Sequence, residues 1–101
     1  MWDDIYYQIF NDFEFLYFYG YSLSHFEHHN VSPSVVYSDG VRSLQIGMSY
    51  EDGRMFALVY ESPKQLRCTK DLLENITFTS RRYKHQVEKA RSCMEEFLRN
   101  Q

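Results

Sequence analysis

The hydrophobic period of the chain changes twice, and this change constrains the fold more than any other feature of the sequence. Apolar residues recur at helical spacing over residues 2–19, at every second position through most of residues 21–61, and at helical spacing again from residue 80. Helical spacing predicts an amphipathic helix, and strict alternation predicts a half-buried strand. A helix, a group of strands and a final helix together predict an α+β fold.

Residues 2–19 are predicted to form the first helix. Its apolar arc consists of Ile5, Leu16, Ile9, Trp2, Phe13, Tyr6, Tyr17 and Phe10. Asp3 and Asp4 fall in the first turn, where the positive end of the helix dipole favours carboxylates. Gly20 follows the last apolar position, and glycine often ends a helix because it adopts a left-handed conformation without strain. We therefore expect a helix that buries this arc and ends at Gly20.

The middle of the chain is predicted to form an antiparallel meander of three to four strands. The candidate strands are residues 21–29, which are the least regular, and residues 34–38, 41–49 and 54–61. Asn30 to Pro33 form a turn cluster, and Asp39-Gly40 is a signal for a two-residue hairpin turn. The buried face of the third segment is predicted to consist of Leu44, Ile46 and Met48.

The pattern after Pro63 is weaker until the last twenty residues. It predicts a short helix over 69–75, a brief strand over 76–79 and a final helix near 80–99. The apolar positions of the final helix are Tyr83, Val87, Ala90, Met94 and Phe97. No repeat or linker divides the sequence, so we predict one α+β domain over residues 1–101, with the C-terminal helix packed on the sheet.

Aromatic residues are more frequent than a chain of this length can enclose. They make up 18% of the sequence, as nine Tyr, eight Phe and one Trp. Each buried ring removes about 150–250 Å² from water, whereas a chain of this size buries only about 65% of its unfolded surface. We therefore expect some rings to remain on the surface, where they provide sites for binding.

The first helix carries four aromatic residues outside its apolar arc, and we take them as the candidate partner-binding site. The site consists of Tyr7, Phe15, Phe18 and Tyr19, rimmed by Asp3, Asn11 and Glu14. Three interpretations remain open: the sheet or last helix covers these rings, a second copy covers them, or a different protein binds there. Aromatic residues are enriched at the energetic centres of interfaces, which favours binding over idle exposure.

The sequence has no motif that indicates catalysis, a cofactor or nucleic-acid binding. GxSxG, HExxH and glycine-rich phosphate loops are absent from it. The net charge of −3 and the isoelectric point near 5.7 differ from those of proteins with a basic nucleic-acid-binding face. We therefore predict that the protein is not an enzyme and uses no cofactor and no nucleic acid.

Residues 25–29 contain the most metal-like pattern of the chain. His25, Glu27 and His29 would share one face of a strand, and zinc accepts such ligands. No fourth ligand can be named, and histidines on strand surfaces are common, so we predict a solvated polar face and assign no metal. Cys68 and Cys93 match no zinc spacing, and we expect two reduced thiols rather than a disulfide.

The N-terminus and the hydropathy pattern predict a cytoplasmic protein. The start Met1-Trp2-Asp3-Asp4 lacks the basic and apolar regions of a signal peptide. No apolar run approaches the roughly 20 residues that span a bilayer, so no membrane partner is expected.

The segment from Leu16 to Glu61 resembles a group of small bacterial proteins that includes immunity proteins of polymorphic and contact-dependent toxin systems. The resemblance is carried by an aromatic-rich helix followed by Gly20-Tyr21, by residues 33–37, and by the predicted hairpin of residues 44–52 and 56–61. It covers about half of the chain. Such proteins are small, cytosolic and often acidic, and they neutralise a toxin domain by covering it, which is the function that the resemblance implies.

These observations lead to two functional hypotheses. The first is a protein-binding inhibitor of the immunity or antitoxin type, in which acidic residues attract a basic toxin and aromatic residues slow its dissociation. The alternative is a homodimeric chaperone- or adaptor-like interaction module that dimerises through the first helix.

Overall fold

The chain forms a five-stranded antiparallel sheet with two helices on one face. The computed structural model describes residues 2–29, 32–49, 51–61 and 68–100, apart from the side chains of residues 2–4, 28, 29, 68 and 69. The elements in order are α1 (Trp2–Asp12), a 3₁₀ helix (Glu14–Tyr19), β1 (Ser22–His29), β2 (Ser32–Ser38), β3 (Ser43–Met48), β4 (Met55–Tyr60), β5 (Cys68–Asp71) and α2 (Tyr83–Arg99). The predicted α+β fold is confirmed, and β5 extends the predicted three to four strands to five.

The strands follow one another across the sheet in the order β1-β2-β3-β4-β5, as a meander does. Val35, Ile46 and Ala57 are aligned across β2, β3 and β4, and they point towards the helices. The predicted buried face of β3 is confirmed, because Leu44, Ile46 and Met48 are all buried. α1 packs over β2 and α2 packs over β4, so the core lies between the sheet and the two helices.

Side chains on the opposite face of the sheet pack against one another at its centre. A Cβ built on Gly47 would lie 2.7 Å from the Cζ of Phe56 and 2.5 Å from the carbonyl oxygen of Pro33, so only glycine fits beneath the Phe56 ring. The Tyr60 hydroxyl donates to Oε1 of Gln45 at 2.9 Å, and Nε2 of Gln45 donates to the hydroxyl of Ser34 at 2.8 Å. These bonds satisfy polar groups on a buried part of the sheet.

The predicted continuous helix over 2–19 is wrong beyond Asp12. The backbone N–H of Leu16 donates to the Phe13 carbonyl at 3.1 Å, so the chain tightens into a 3₁₀ helix. Residues three apart align in a 3₁₀ helix, and Phe13, Leu16 and Tyr19 therefore share one side. Phe13 and Leu16 are fully buried and Tyr19 packs against the core. Gly20 ends the helix with φ of 89°, as predicted.

The segment between β4 and α2 also differs from the prediction. Residues 68–71 form a strand rather than the start of a helix, and residues 76–80 have no regular structure instead of the predicted brief strand. The side chain of Asp71 fixes the turn that follows β5, because its Oδ1 accepts the N–H groups of Ala57 at 3.2 Å and Leu73 at 3.0 Å. A carboxylate that binds backbone amides stabilises a turn without helical hydrogen bonds.

Two of the predicted turns occur at shifted positions. β2 begins at Ser32, inside the predicted turn cluster, and Pro33 lies in the strand before the ladder with β3 begins at Ser34. The hairpin between β2 and β3 has a four-residue loop, because Ser38 pairs with Ser43. Oδ1 of Asp39 closes that loop by accepting the N–H groups of Val41 and Arg42 at 2.8 and 2.7 Å.

Arg54 holds the loop after β5 against the sheet. Its guanidinium donates to the carbonyl oxygens of Leu73 and Ile76 and lies 3.7 Å from Oδ2 of Asp71. The same group lies 5.5 Å from the centre of the Phe78 ring. These contacts join β4 to a loop that has few backbone hydrogen bonds of its own.

Gln86 joins α2 to the sheet through a buried set of hydrogen bonds. Its Oε1 accepts the N–H of Met55 at 2.8 Å, while its Nε2 donates to the carbonyl oxygens of Gly53 at 2.7 Å and Ser80 at 2.9 Å. We call Arg54 and Gln86, with the groups they bind, the C-terminal latch. α2 begins three residues later than predicted, and neither helix in the described ranges is long and apolar enough to cross a membrane.

Candidate protein-binding surface

The aromatic side chains are distributed unevenly between the core and the surface. Of the sixteen that the structure describes, four are buried, eight are half-buried and four are exposed. The exposed rings are those of Tyr7 at 62%, Tyr17 at 43%, Phe18 at 90% and Phe26 at 44%. All four lie within residues 7–26. The exposed aromatic rings that the structure describes are therefore confined to the N-terminal quarter of the chain.

We call the exposed side chains of this region the aromatic edge: Tyr7, Tyr17, Phe18, Leu23 and Phe26. Tyr7 lies on α1, Tyr17 and Phe18 lie on the 3₁₀ helix, and Leu23 and Phe26 lie on β1. β1 is at one end of the sheet, and α1 packs over the neighbouring strand β2. Tyr7, Leu23 and Phe26 therefore lie on the side of the molecule where the sheet ends, and Tyr17 and Phe18 lie on the 3₁₀ helix that follows α1.

A bulge in β1 places Leu23 and Phe26 on the same side of the sheet. Leu23 is aligned with Tyr37, whereas His25 is aligned with the adjacent Val36, so one residue of β1 has no counterpart in β2. In a regular strand, residues three apart point to opposite faces. Because of the bulge, both Leu23 and Phe26 point towards the helices.

The ring of Phe26 is held between β1 and the start of α1. Its centre lies 5.4 Å from that of Tyr6 and 6.3 Å from that of Tyr7, the latter in an edge-on arrangement. The hydroxyl of Tyr6 donates to the carbonyl oxygen of Glu27 at 3.3 Å. Aromatic pairs in tilted or edge-on geometry stabilise each other, so these partly exposed rings have defined positions.

The structure brings together only part of the predicted site. Tyr7 and Phe18 are exposed, as predicted, but Phe15 and Tyr19 are half-buried and pack against the core. The change from an α-helix to a 3₁₀ helix rotates these two side chains inward. The Phe15 ring lies 5.9 Å from that of Phe13 and 5.8 Å from the guanidinium of Arg91, so it faces α2 instead of solvent.

The polar rim of the predicted site is present in part. Asn11 and Glu14 are exposed, and the side chain of Asp3 lies outside the described residues. Asp12 is occupied within the molecule, because its Oδ2 accepts the hydroxyl of Tyr83 at 2.8 Å and so joins α1 to α2. Asn11 and Glu14 therefore remain as the predicted polar neighbours of the exposed rings.

Tyr17 and Phe26 belong to the aromatic edge, although the sequence pattern does not predict them there. A regular helix would place Tyr17 in the buried arc, and the 3₁₀ geometry moves it outward. Phe26 lies in a segment that does not alternate regularly, because the bulge interrupts it. The irregular pattern of residues 21–29 is the available signal, and it indicates a bulged edge strand.

Polar side chains occupy the other face of β1. His25 and Glu27 share that face, and Nε2 of His25 lies 3.3 Å from Oε2 of Glu27. Nδ1 of His25 lies 3.0 Å from the hydroxyl of Ser24. The side chain of His29 lies outside the described residues, and the described part of the chain contains no group of three potential metal ligands.

Two buried tyrosines in the core differ in how their hydroxyls are bound. Tyr37 is fully buried and its hydroxyl has no hydrogen-bond partner among the described residues. Burial raises the pKa of Tyr37, and nearby Tyr17 adds to this shift. Burial likewise raises the pKa of Tyr83, and its hydrogen bond to Asp12 adds to the effect. Both phenols therefore stay protonated to higher pH in the folded protein than in the unfolded chain.

The surface grooves around α2 are shallow and mixed in character. One of about 320 Å³ lies between the 3₁₀ helix and α2 and is lined by Phe15, Glu88, Arg91, Ser92 and Glu95. Cys93, a half-buried free thiol, lines two others beside α2, and burial raises its pKa. A raised pKa makes a thiol less reactive at neutral pH.

Comparison with known proteins gives no match: no family model, no curated protein and no solved structure is significantly similar to this chain.

Proposed function

We propose that the protein is an inhibitor of the immunity or antitoxin type, which binds a cognate toxin domain through the aromatic edge and blocks it by occlusion. The observation that carries this proposal is the exposure of Phe18, whose side chain is 90% accessible in a region otherwise well anchored to the core. Covering an exposed Phe side chain contributes about 1.5–3 kcal/mol. A phenylalanine held in solvent is therefore available to bind a partner.

The position of Phe18 is fixed by its neighbours. Leu16 is fully buried two residues before it, and Gly20 ends the helix two residues after it with backbone bonds to the carbonyl groups of Leu16 and Tyr17. A side chain on an anchored backbone loses less entropy on binding than one on a loose loop. The aromatic edge is thus preorganised for a rigid partner surface.

The charge of the chain suits a basic partner. The net charge is −3, and Glu14 is exposed on the 3₁₀ helix that carries Phe18. Acidic groups at the border of an interface raise the association rate with a basic protein, and their effect weakens as salt is added. Aromatic anchors at the centre then determine how slowly the complex dissociates.

The test is co-expression with the products of the adjacent reading frames. The proposal predicts that one of them is toxic when expressed alone, that the wild-type chain suppresses this toxicity, and that Phe18→Ser abolishes the suppression. Gln8→Ser is the matched control, because Gln8 is also exposed but is not part of the aromatic edge. The proposal is wrong if no neighbouring product is toxic, or if Phe18→Ser protects as well as the wild type.

A second candidate function is a homodimeric adaptor- or chaperone-like module. The observation that favours it is the position of Phe26 on a strand at the end of the sheet, where another strand can be added. For this candidate we therefore propose β1 as the dimer contact, instead of the first helix that the sequence suggested. A purified chain that remains monomeric would remove this candidate and leave the inhibitor proposal unaffected.

A further inference from the structure

The two ends of the sheet differ in length and in what they expose. Among the described residues, β5 forms one end with four residues, whereas β1 forms the other with eight. No strand in the described part of the chain pairs with the outer side of β1. A long edge strand presents backbone N–H and C=O groups to which another strand can bond. β1 is therefore the place in this fold where a sheet can be extended.

In β1, Phe26 is flanked by one polar residue on each side along the strand. Phe26 points to the helix side, while His25 and Glu27 flank it on the opposite face. One flanking residue is a histidine and the other a carboxylate, and the two already lie 3.3 Å apart within the chain. A strand with this order is complementary to an antiparallel copy of itself.

We propose that two copies of this chain associate by antiparallel pairing of their β1 strands, with Phe26 on the two-fold axis. In this register His25 of each copy lies opposite Glu27 of the other, and the two Phe26 rings meet on the helix side. The five strands of each copy join into one sheet of twice that number. The proposal specifies the strand register of the homodimer that is the second candidate function above, and it does not rest on the inhibitory function.

The pairing of an imidazole with a carboxylate selects this register over its neighbours. Shifting the axis to Glu27 would place two carboxylates opposite each other, and shifting it to His25 would place two imidazoles opposite each other. Like charges directly across a pair of strands are destabilising, whereas opposite charges and aromatic pairs are stabilising. Only the register centred on Phe26 gives two favourable polar pairs and one aromatic pair.

The bulge in β1 makes this edge selective. It lies between Leu23 and His25, so the regular part of the strand begins at His25. Bulges and charged residues protect edge strands from indiscriminate pairing. A foreign strand without the matching charges would leave His25 or Glu27 opposite an unsuitable group, whereas a second copy supplies the matching partner for both.

The helix side of the paired strands is apolar. Tyr7 of each copy contacts its own Phe26 edge-on, and Leu23 lies further along the same side. These side chains are exposed in the single chain, by 62% for Tyr7 and 36% for Leu23. Pairing would remove them partly from water, which adds apolar burial to the backbone hydrogen bonds.

The experiment measures the mass of the purified protein and of charge variants by analytical ultracentrifugation, at chain concentrations up to about 200 µM. The wild type is expected to reach twice the mass of the 12.2 kDa chain. Glu27→Lys places a lysine opposite His25, and His25→Glu places two carboxylates opposite each other. Each single variant is expected to dimerise on the order of 10-fold more weakly, because two symmetric pairs become unfavourable.

Mixing the two single variants separates pairing between copies from a local effect within one strand. In a mixed dimer, the unchanged His25 of the first variant faces the unchanged Glu27 of the second. The introduced lysine faces the introduced glutamate, so both pairs are favourable again. The mixture is therefore expected to form a heterodimer at concentrations where each variant alone is a monomer. Glu74→Lys is the control, since Glu74 is exposed in the turn after β5.

Circular dichroism first establishes that each variant is folded, and Phe26→Ser provides a second disruption without a change of charge. Phe26→Ser is expected to yield a monomer. A wild type that stays monomeric over the whole concentration range overturns the proposal. A dimer that survives all three substitutions, or a mixture that remains monomeric, overturns the β1 pairing as well.

Discussion

The aromatic edge and the C-terminal latch both adjoin the five-stranded sheet, but they differ in which side chains they leave in solvent. In the latch, Gln86 is fully buried and all its polar atoms are bonded to backbone groups of β4 and the preceding loops. At the aromatic edge, Phe18 is 90% exposed although it is apolar. The comparison shows that a buried polar side chain of α2 has all its hydrogen bonds within the molecule, whereas an apolar ring of the 3₁₀ helix is left in solvent. The 3₁₀ helix is where we place the partner.

The largest contrast is expected between two phenylalanines five residues apart in the sequence. Phe13 is fully buried and Phe18 is almost fully exposed. Phe13→Ala should lower the free energy of unfolding by about 3–5 kcal/mol, because it leaves a cavity in the core. Phe18→Ala should change it by less than about 0.5 kcal/mol. Urea denaturation followed by circular dichroism measures both, and similar losses in the two variants would contradict the assignment of Phe18 to a binding surface.

Substitutions at one buried and one exposed glutamine test the latch by the same measurement of unfolding free energy. Gln86→Leu removes one acceptor and two donated bonds, and it leaves the Met55 N–H buried without a partner. We expect a loss of about 3 kcal/mol in unfolding free energy, since each buried polar group left unsatisfied costs about 1–3 kcal/mol. Gln8→Leu is the control on the exposed side of α1. A loss below about 1 kcal/mol for Gln86→Leu would show that the latch contributes little.

Alkaline pH should destabilise the fold, with the largest contributions from Tyr37 and Tyr83. The pKa values of Tyr37 and Tyr83 are raised above the ordinary value of 10.0, so their stabilising contribution is complete below pH 10 and is lost as the pH rises above it. Each contributes a slope of up to about 1.4 kcal/mol per pH unit in that range. The urea midpoint between pH 9 and 11 should fall less steeply in a Tyr37→Phe, Tyr83→Phe double variant. Equal slopes would contradict this account.

The smallest effect should be a gain in stability beneath the aromatic edge. The Tyr37 hydroxyl is buried without a described partner, so Tyr37→Phe should raise the free energy of unfolding by up to about 1 kcal/mol. Tyr83→Phe makes the same chemical change but removes the bond to Asp12, and it should lower stability by about 1 kcal/mol. Thermal or urea unfolding distinguishes the two signs. A loss in both variants would mean that the Tyr37 hydroxyl is bound.

The elements that can be predicted from the sequence are those whose hydrophobic periodicity matches the face that packs against the core. β3 alternates because one of its faces packs on the helices, and α2 repeats at helical spacing because it crosses β4. Gly20 is recognisable because a left-handed residue must end the helix. The confirmed parts of the fold are thus those in which local pattern and tertiary packing agree.

The parts that escape prediction depend on contacts distant in sequence. The 3₁₀ segment, the bulge in β1 and the loop held by Arg54 arise from packing against other elements, which no local period records. The same shifts alter the candidate site: they turn Phe15 and Tyr19 inward and leave Tyr17 and Phe26 exposed. The excess of aromatic rings is visible in the composition. Which rings are exposed depends on the change from an α-helix to a 3₁₀ helix after Asp12 and on the bulge in β1.

The most direct measurement of the central claim is the affinity of the cognate protein for a Tyr7→Ser, Phe18→Ser double variant whose unfolding free energy matches that of the wild type. If the aromatic edge is the docking surface, loss of two anchor residues that contribute about 2 kcal/mol each should weaken binding on the order of 1,000-fold. Isothermal titration calorimetry with the purified pair gives this number. An affinity within about 3-fold of the wild type would contradict the account, because rings that serve as anchors cannot be removed at so small a cost.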